Sequence, residues 1–393
     1  MIVAGGSYLE VCLRPDWRRL FGSGLRAACA VAHLSPGTKL YTYCFTDWKE
    51  DIEHSAGALG CEAFVTPIDQ AISFSYDHPL SIARQFPPAP KQNQPLNVTG
   101  KTVLRFGFVE GDAVVHAEYA VYDPQSSGPS ISFRSNGSSA RHLAVVLNED
   151  EATATGSEDG ARARELMEHH GAETVIIKRG PRGATVYCQD GTSSDIRPYL
   201  SDTVFKIGSG DVFSAAFALY WGEREMDAGR AADLASRSVA QFVDGHVLPL
   251  HDAALDVGRL TAGAHAGERI YLAGPFFDLA QRWMIEETFK TLTKFGASVF
   301  SPLHEVGTGL SMSEIAQADL QGLQGCSKVL ALLDGMDPGT VFEVGYARSI
   351  GIPVVALAER YEPEHLTMIE GSGCDVVHEF TTAIYRILWT AGR

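Results

Sequence analysis

Three carboxylates crowd into Asp334-Gly-Met-Asp-Pro-Gly-Thr-Val-Phe-Glu343, where the apolar run 330–333 gives way to a turn and then to a helical pattern closing at Gly351. Asp334, Asp337 and Glu343 are therefore expected at the carboxyl end of a strand, the edge of an open α/β sheet where ligands bind. A carboxylate in the first turn of a helix is held ionised by the field of the aligned peptides, and an ionised carboxylate can be a nucleophile. A plainer reading uses the same letters. Thr340-x-x-Glu343 is also a capping box, with Thr340 as the cap and the glutamate returning a hydrogen bond to the cap's backbone. The surroundings weigh toward chemistry: Tyr271-Leu-Ala-Gly-Pro-Phe-Phe277 follows another strand pattern, and Asp319 lies on a helix leading into the strand before Asp334. Carboxyl groups in unlike environments suit the breaking of an N-glycosidic bond. One stabilises or captures an oxocarbenium-like carbon while an acid near the base helps it depart. Water as the final acceptor makes such an enzyme a hydrolase; a second base makes it a transferase.

A second constellation is Gly208-Ser-Gly-Asp211, a glycine-rich turn opening an apolar helix. The amides of such a turn can cradle phosphate, and Asp211 could take a proton from a hydroxyl. A helix capped by Ser209 or Asp211 with no ligand accounts for the same pattern. Lys178, Arg179 and Arg182 could meet phosphate or form a solvated basic loop.

The elements that must position these groups alternate β-rich runs with longer helical patterns, which predicts βαβ units and parallel sheets covered on both faces. In the second stretch, strands are expected at 270–273, 298–301, 328–333 and 354–357, with helices near 278–295, 313–325 and 341–350. Residues 258–267 are small and without hydrophobic period, so 257–268 reads as a linker between units 1–256 and 269–393. Segments 85–101 and 124–139 are rich in Pro, Asn, Gln, Ser and Gly and read as exposed loops.

With 393 residues, 45% hydrophobic and 20% charged, the chain has the makings of two or three folded units. Its 32 Lys and Arg against 48 Asp and Glu, a net −16, disfavour nucleic acid and anionic membranes as partners. Nowhere do 18 apolar residues run together, so no bilayer span is expected. The amino terminus lacks the basic-then-apolar build of a signal peptide. Seven cysteines without C-x-x-C or zinc spacing read as free thiols in a reducing cytoplasm.

The ordered motifs Ile270-Tyr-Leu-Ala-Gly-Pro, Ala318-Asp-Leu and Gly339-Thr-x-x-Glu-x-Gly-Tyr-Ala347 resemble the nucleoside 2-deoxyribosyltransferase-like proteins, which include nucleoside and nucleotide N-glycosidases. The resemblance implies a small doubly wound, Rossmann-like domain in which Glu343 attacks the anomeric carbon. It further implies that Asp319 and Asp337 position and protonate the nucleobase and that Tyr271 holds the nucleophile. Gly274, Phe276, Asp334, Gly339 and Met368 are candidate substrate contacts, although a methionine in Met368's place is more often packing. No cofactor is implied for glycosyl transfer. The resembled transferases complete their sites across subunits, which implies a homo-oligomer through this unit. One position departs: Leu366 stands where an asparagine contacts the sugar's 5′ end, which opens 5′-phosphates, dinucleotides such as NAD and altered sugars as substrates.

The first 250 residues resemble the ribokinase-like PfkB carbohydrate and nucleoside kinases, through Gly22-Ser-Gly-Leu-Arg-Ala-Ala, Asn148-Glu-Asp-Glu151, Val175-Ile-Ile-Lys-Arg-Gly-Pro-Arg-Gly-Ala184 and Gly208-Ser-Gly-Asp211. That resemblance implies an α/β/α domain using ATP and magnesium, with Asp211 as base, Gly208, Ser209 and Gly210 as the anion hole, and Asn148 with Glu151 supporting metal and phosphate; no metal ligand is fixed by the sequence. Three features depart. Phe205 replaces an aspartate, the early Gly-Gly-x-x-x-Asn pattern lacks its asparagine, and residues 60–120 are short for the usual lid. A working kinase, a pocket that only binds a small nucleoside, nucleotide or sugar, and a structural partner all remain open.

Overall fold

The computed structural model describes residues 1–126, 128–152, 159–255, 268–307 and 309–393. The chain separates into two compact units, Met1–Leu260 and Thr261–Arg393. Of the expected linker 257–268, all but Glu268 lies outside the described residues.

The first unit begins β1 (Ile2–Ala4), β2 (Leu9–Cys12), β3 (Trp17–Leu20), α1 (Gly22–Val31), β4 (Lys39–Phe45), α2 (Lys49–Ala58), β5 (Glu62–Ile68), β6 (Ser73–Tyr76), β7 (Arg84–Phe86) and β8 (Leu96–Phe106). It continues β9 (Ala113–Asp123), β10 (Ser139–Asn148), α3 (Glu149–Ala152), α4 (Asp159–His170), β11 (Thr174–Lys178), β12 (Ala184–Cys188), β13 (Ser193–Ile196), α5 (Ser209–Phe217) and α6 (Ala228–Gly245). The main sheet has nine strands in the order β13-β12-β11-β10-β9-β8-β1-β4-β5. It is parallel from β5 to β11, and β12 and β13 extend it antiparallel. Alternate side chains of the strands divide between two cores. Val3, Leu40, Leu104, Val146 and Ile176 face one with α1, α5 and α6, while Ala4, Val103, Val145 and Leu147 face the other with α4. Such two-sided burial is what makes the parallel strands read as continuous apolar runs.

A separate four-stranded sheet, β3-β2-β6-β7, accompanies the main one. Its strands come from both sides of α1 and β4, so the span 60–120, expected to be short for a lid, holds only two of the four. The loop expected at 85–101 is also corrected. Its second half opens the eleven-residue β8, where Leu96 and Val98 are buried and Asn97 and Thr99 exposed, a period-2 pattern masked by the polar composition before it.

The second unit runs β14 (Arg269–Ala273), α7 (Leu279–Lys294), β15 (Ser298–Phe300), α8 (Pro302–Glu305), α9 (Met312–Gln324), β16 (Lys328–Leu332), α10 (Pro338–Ser349), β17 (Val354–Leu357), α11 (Pro363–Gly371), β18 (Asp375–Val377) and α12 (Phe380–Trp389). Its five strands are all parallel, in the order β15-β14-β16-β17-β18. Tyr271, Ala273, Val329 and Ala331 face a core closed by residues of α9, α10 and α11; α7 and α12 pack with each other and with the strands. The winding reverses between β14 and β16, so their carboxyl ends diverge into a crevice, the place where sheets of this order hold ligands. The fold thus selects the loops after Ala273 and after Leu332.

Candidate active site

Tyr271 lies within the buried part of β14, and its hydroxyl donates to Glu343 Oε1 at 2.6 Å. The ring is fully buried and lies parallel to Phe300 of β15, with centroids 5.4 Å apart. Phe300 reaches that position because α9 has glycine at 322, where a Cβ would fall 2.2 Å from the Phe300 ring. Three residues earlier on the same helix is Asp319. One of its oxygens, Oδ1, is shielded from solvent and has no hydrogen-bond partner.

The capping-box expectation for Glu343 is overturned. Asp337, not Thr340, is the cap of α10, with Oδ2 accepting from the Thr340 amide at 2.8 Å and the Thr340 hydroxyl at 3.0 Å. Pro338, at the first helical position, has the φ the helix requires and no N–H to satisfy. The helix therefore starts three residues before the expected 341 and places Glu343 in its second turn. There the dipole's field has faded, and burial dominates: it pushes the Glu343 carboxyl up to about 7, with Asp319 and Asp337 adding to the rise and the Tyr271 hydrogen bond opposing it. Burial raises Asp319 as well. Burial and the Glu343 charge hold the Tyr271 phenol well above its ordinary value, so it remains a donor.

Tyr271, Asp319, Asp337 and Glu343 are thus brought together. Asp334 turns aside, its Oδ1 accepting the amides of Glu359 and Arg360 at 2.8 and 3.0 Å and tying the β16 loop to the β17 loop. Gly274 and Phe276 lie in the loop after β14, which Arg282 holds through its Nε bond to the Phe276 carbonyl at 3.0 Å, and Gly339 lies in the first turn of α10. Met368 is corrected from packing to surface: it projects from α11 and is 78% exposed, while Leu366 is buried in the core beneath it.

In the first unit Gly208 caps α5 with a left-handed backbone, φ +84°, and neither Ser209 nor Asp211 caps the helix as expected. Asp211 is buried against Arg26, whose Nη1 donates to Oδ2 at 2.7 Å, and Gln125 donates to Oδ1 at 2.9 Å. The other end of the guanidinium is paired to Glu10. Burial lifts Asp211 to about 6, opposed by Arg26 and reinforced by Glu10. Asn148 and Glu151 form a reciprocal box at the start of α3: the Asn148 amide donates to Glu151 Oε2 at 2.7 Å and the Glu151 amide to Asn148 Oδ1 at 2.9 Å. Lys178 pairs with Asp123 at 2.9 Å, and Asp123 also accepts from Ser214 at 2.7 Å. Arg179 and Arg182 pair with Glu149, so the basic loop is internally compensated. Arg26, Glu10 and Gln125 escaped the sequence reading. A lone arginine between Leu25 and the apolar run Ala27-Ala-Cys-Ala-Val31 was the available signal.

Residues 270–376 match the nucleoside 2-deoxyribosyltransferase family model and residues 117–245 the pfkB family carbohydrate kinase model. The chain joins a domain of each kind. Among curated proteins it is similar to a 5-dehydro-2-deoxygluconokinase of Clostridium botulinum (strain Alaska E43 / Type E3), 36% identical over 76 residues, or 19% of this chain and 22% of that protein. It therefore spans about a fifth of that relative's length. Similar solved structures include a pyrophosphate-dependent kinase in the ribokinase family complexed with a pyrophosphate analog and myo-inositol (16% identity, 65% of this chain, 99% of that one, TM-score 0.46). Another is the aminoimidazole riboside kinase of Salmonella enterica complexed with aminoimidazole riboside and an ATP analog (15% identity, 62% and 93%, TM-score 0.46).

The residues present are a poor fit to the ATP and magnesium that the PfkB resemblance implies. Both oxygens of Asp211 are taken by side chains of the chain itself, Arg26 lies on the glycine turn, and Asn148 and Glu151 satisfy each other. Among the described residues no three His, Cys, Asp or Glu side chains converge as a cation site.

Proposed function

We propose that the second unit breaks the N-glycosidic bond of a small nucleoside or nucleotide through Glu343. The observation that carries this reading is the 2.6 Å bond from Tyr271 to Glu343 Oε1, which draws the carboxylate away from the helix cap and fixes one oxygen while the other stays available. That oxygen attacks the anomeric carbon, a C–O bond forms as the C–N bond breaks, and the electron pair leaves with the nucleobase nitrogen. A proton supplied by Asp319, whose raised affinity for protons suits an acid, neutralises the departing base. Water, or the nitrogen of a second base, then displaces Glu343 and regenerates it. No cofactor enters these steps. The test is release of free base from a panel of nucleosides and nucleotides, with mass spectrometry of the protein for an added sugar. Base release that survives Glu343→Ala unchanged would rule the mechanism out.

A second reading keeps the site and takes NAD or a related nucleotide as substrate. It is favoured by Leu366, a buried core residue where the resembled enzymes reach the sugar's 5′ end with an asparagine. Nicotinamide release measured beside free-base release from deoxynucleosides separates the two. Self-association through this unit and a cytoplasmic setting belong to the same proposal, the latter supported by seven cysteines that are all free. No described helix is long and apolar enough to cross a membrane.

A further inference from the structure

The first unit disagrees with the phosphoryl-transfer role of its family at one side chain. Arg26 is 2% exposed although it carries a full charge, and its burial is offset by two carboxylates from different elements, Glu10 of β2 and Asp211 of α5. Its stem and guanidinium lie directly on the glycine turn. A Cβ at Gly208 would fall 2.1 Å from Arg26 Nε and 2.4 Å from Cζ. The space between the turn and Asp211, where a hydroxyl and a phosphoryl group would have to meet, is therefore filled by the protein. Arg26 also joins the two sheets, because β2 belongs to the small sheet and α5 packs on the large one. Apolar contacts beside it join them again: Trp17 of β3 lies 5.0 Å from Phe205 and 5.0 Å from His246, ring centre to ring centre, and Cys12 clusters with Phe205 and Ile207.

We propose that Arg26 is a built-in occupant of the acceptor side of this site and that Asp211 is its counter-ion, so the first unit is held closed and transfers no phosphoryl group to a hydroxyl. A general base must turn an oxygen toward the hydroxyl and accept its proton. Asp211 has one oxygen on a guanidinium and the other on an amide, and a cation at 2.7 Å opposes protonation. The inference stands apart from the chemistry proposed for Glu343, since it concerns residues of the other unit.

The test uses the full chain and two readouts. Phosphorus NMR follows ATP with magnesium, and separately pyrophosphate with magnesium, in the presence of ribose, deoxyribose, fructose, myo-inositol and nucleosides; no phosphorylated acceptor is expected. Thermal unfolding follows Arg26→Met, which leaves the Glu10 and Asp211 carboxylates buried together without their shared cation and is expected to lower the midpoint by on the order of 10 °C. If that variant fails to accumulate, the triple variant Glu10→Gln, Arg26→Met, Asp211→Asn, with no buried charge left, is expected to fold and to recover most of the midpoint. Phosphorylation of any acceptor by the wild-type chain that Asp211→Asn abolishes would overturn the proposal. So would a midpoint that Arg26→Met leaves unchanged or raises.

Discussion

Glu343 and Asp211 are both carboxylates near the start of a helix, the first partly buried and the second buried, and both are pushed upward by burial, to about 7 and about 6. Their partners differ. Glu343 accepts from a neutral phenol, which orients one oxygen and supplies no counter-charge, whereas Asp211 faces a guanidinium that it shares with Glu10. A buried charge without a counter-ion is costly and persists where a ligand or reaction uses it; a buried charge with a counter-ion is accounted for by the fold itself. The comparison therefore separates a carboxylate available for bond making from one already engaged, although sequence motifs present both as candidates.

The sharpest way to break the comparison is to remove each carboxylate and watch chemistry. Glu343→Ala is expected to lower base release by at least ~10³-fold, because a covalent nucleophile has no substitute nearby; single-turnover release of base, with the fold checked by circular dichroism, measures it. Retained turnover would put Glu343 on the same footing as Asp211. Tyr271→Phe is expected to cost about 10- to 100-fold, since it removes one short hydrogen bond and leaves the carboxylate in place. The Tyr271 bond opposes the upward shift of Glu343, so the variant's pH profile should also move to higher pH. A slower enzyme with an unmoved profile would show that Tyr271 acts only by packing.

The pH dependence itself follows from the value near 7. A nucleophile must be ionised and the Asp319 acid protonated, so kcat/KM for base release should be bell-shaped, with the limb that belongs to Glu343 near pH 7. A bell with neither limb near 7 would mean that the Glu343 carboxylate titrates in the ordinary range and that burial does not govern it.

Much of the second unit was legible because its strands are buried on both faces: the apolar runs expected at 270–273 and 354–357 fall within Arg269–Ala273 and coincide with Val354–Leu357. The start of α10 was not legible in the same way. Thr340 and Asp337 are both good caps, and only Pro338 between them decides for Asp337. The joining of Tyr271 to Glu343, 72 residues apart, depends on strand order, which no local pattern encodes. In the first unit the glycine turn and Asp211 were readable as a motif, but their meaning rests on Arg26, 185 positions earlier. Motif reading asks whether the named residues are present. It does not ask what else has moved in beside them.

The smallest expected effect bears most directly on the difference in partners. A carboxyl whose affinity for protons is higher in the folded chain than in the unfolded one stabilises the fold fully only below the unfolded value, about 4.5, and that stability is lost as pH rises toward 7. Glu343→Gln keeps the shape and removes the charge, so its thermal midpoint should match the wild type near pH 4 and exceed it by roughly 5 °C at pH 8. Asp211→Asn is expected to move in the same direction, because burial raises Asp211 too, to about 6, in spite of Arg26. Scanning calorimetry of both variants at the two pH values reads the signs directly, so it does not depend on knowing a substrate. Opposite signs would mean that the guanidinium outweighs burial at Asp211 while the phenol does not at Glu343.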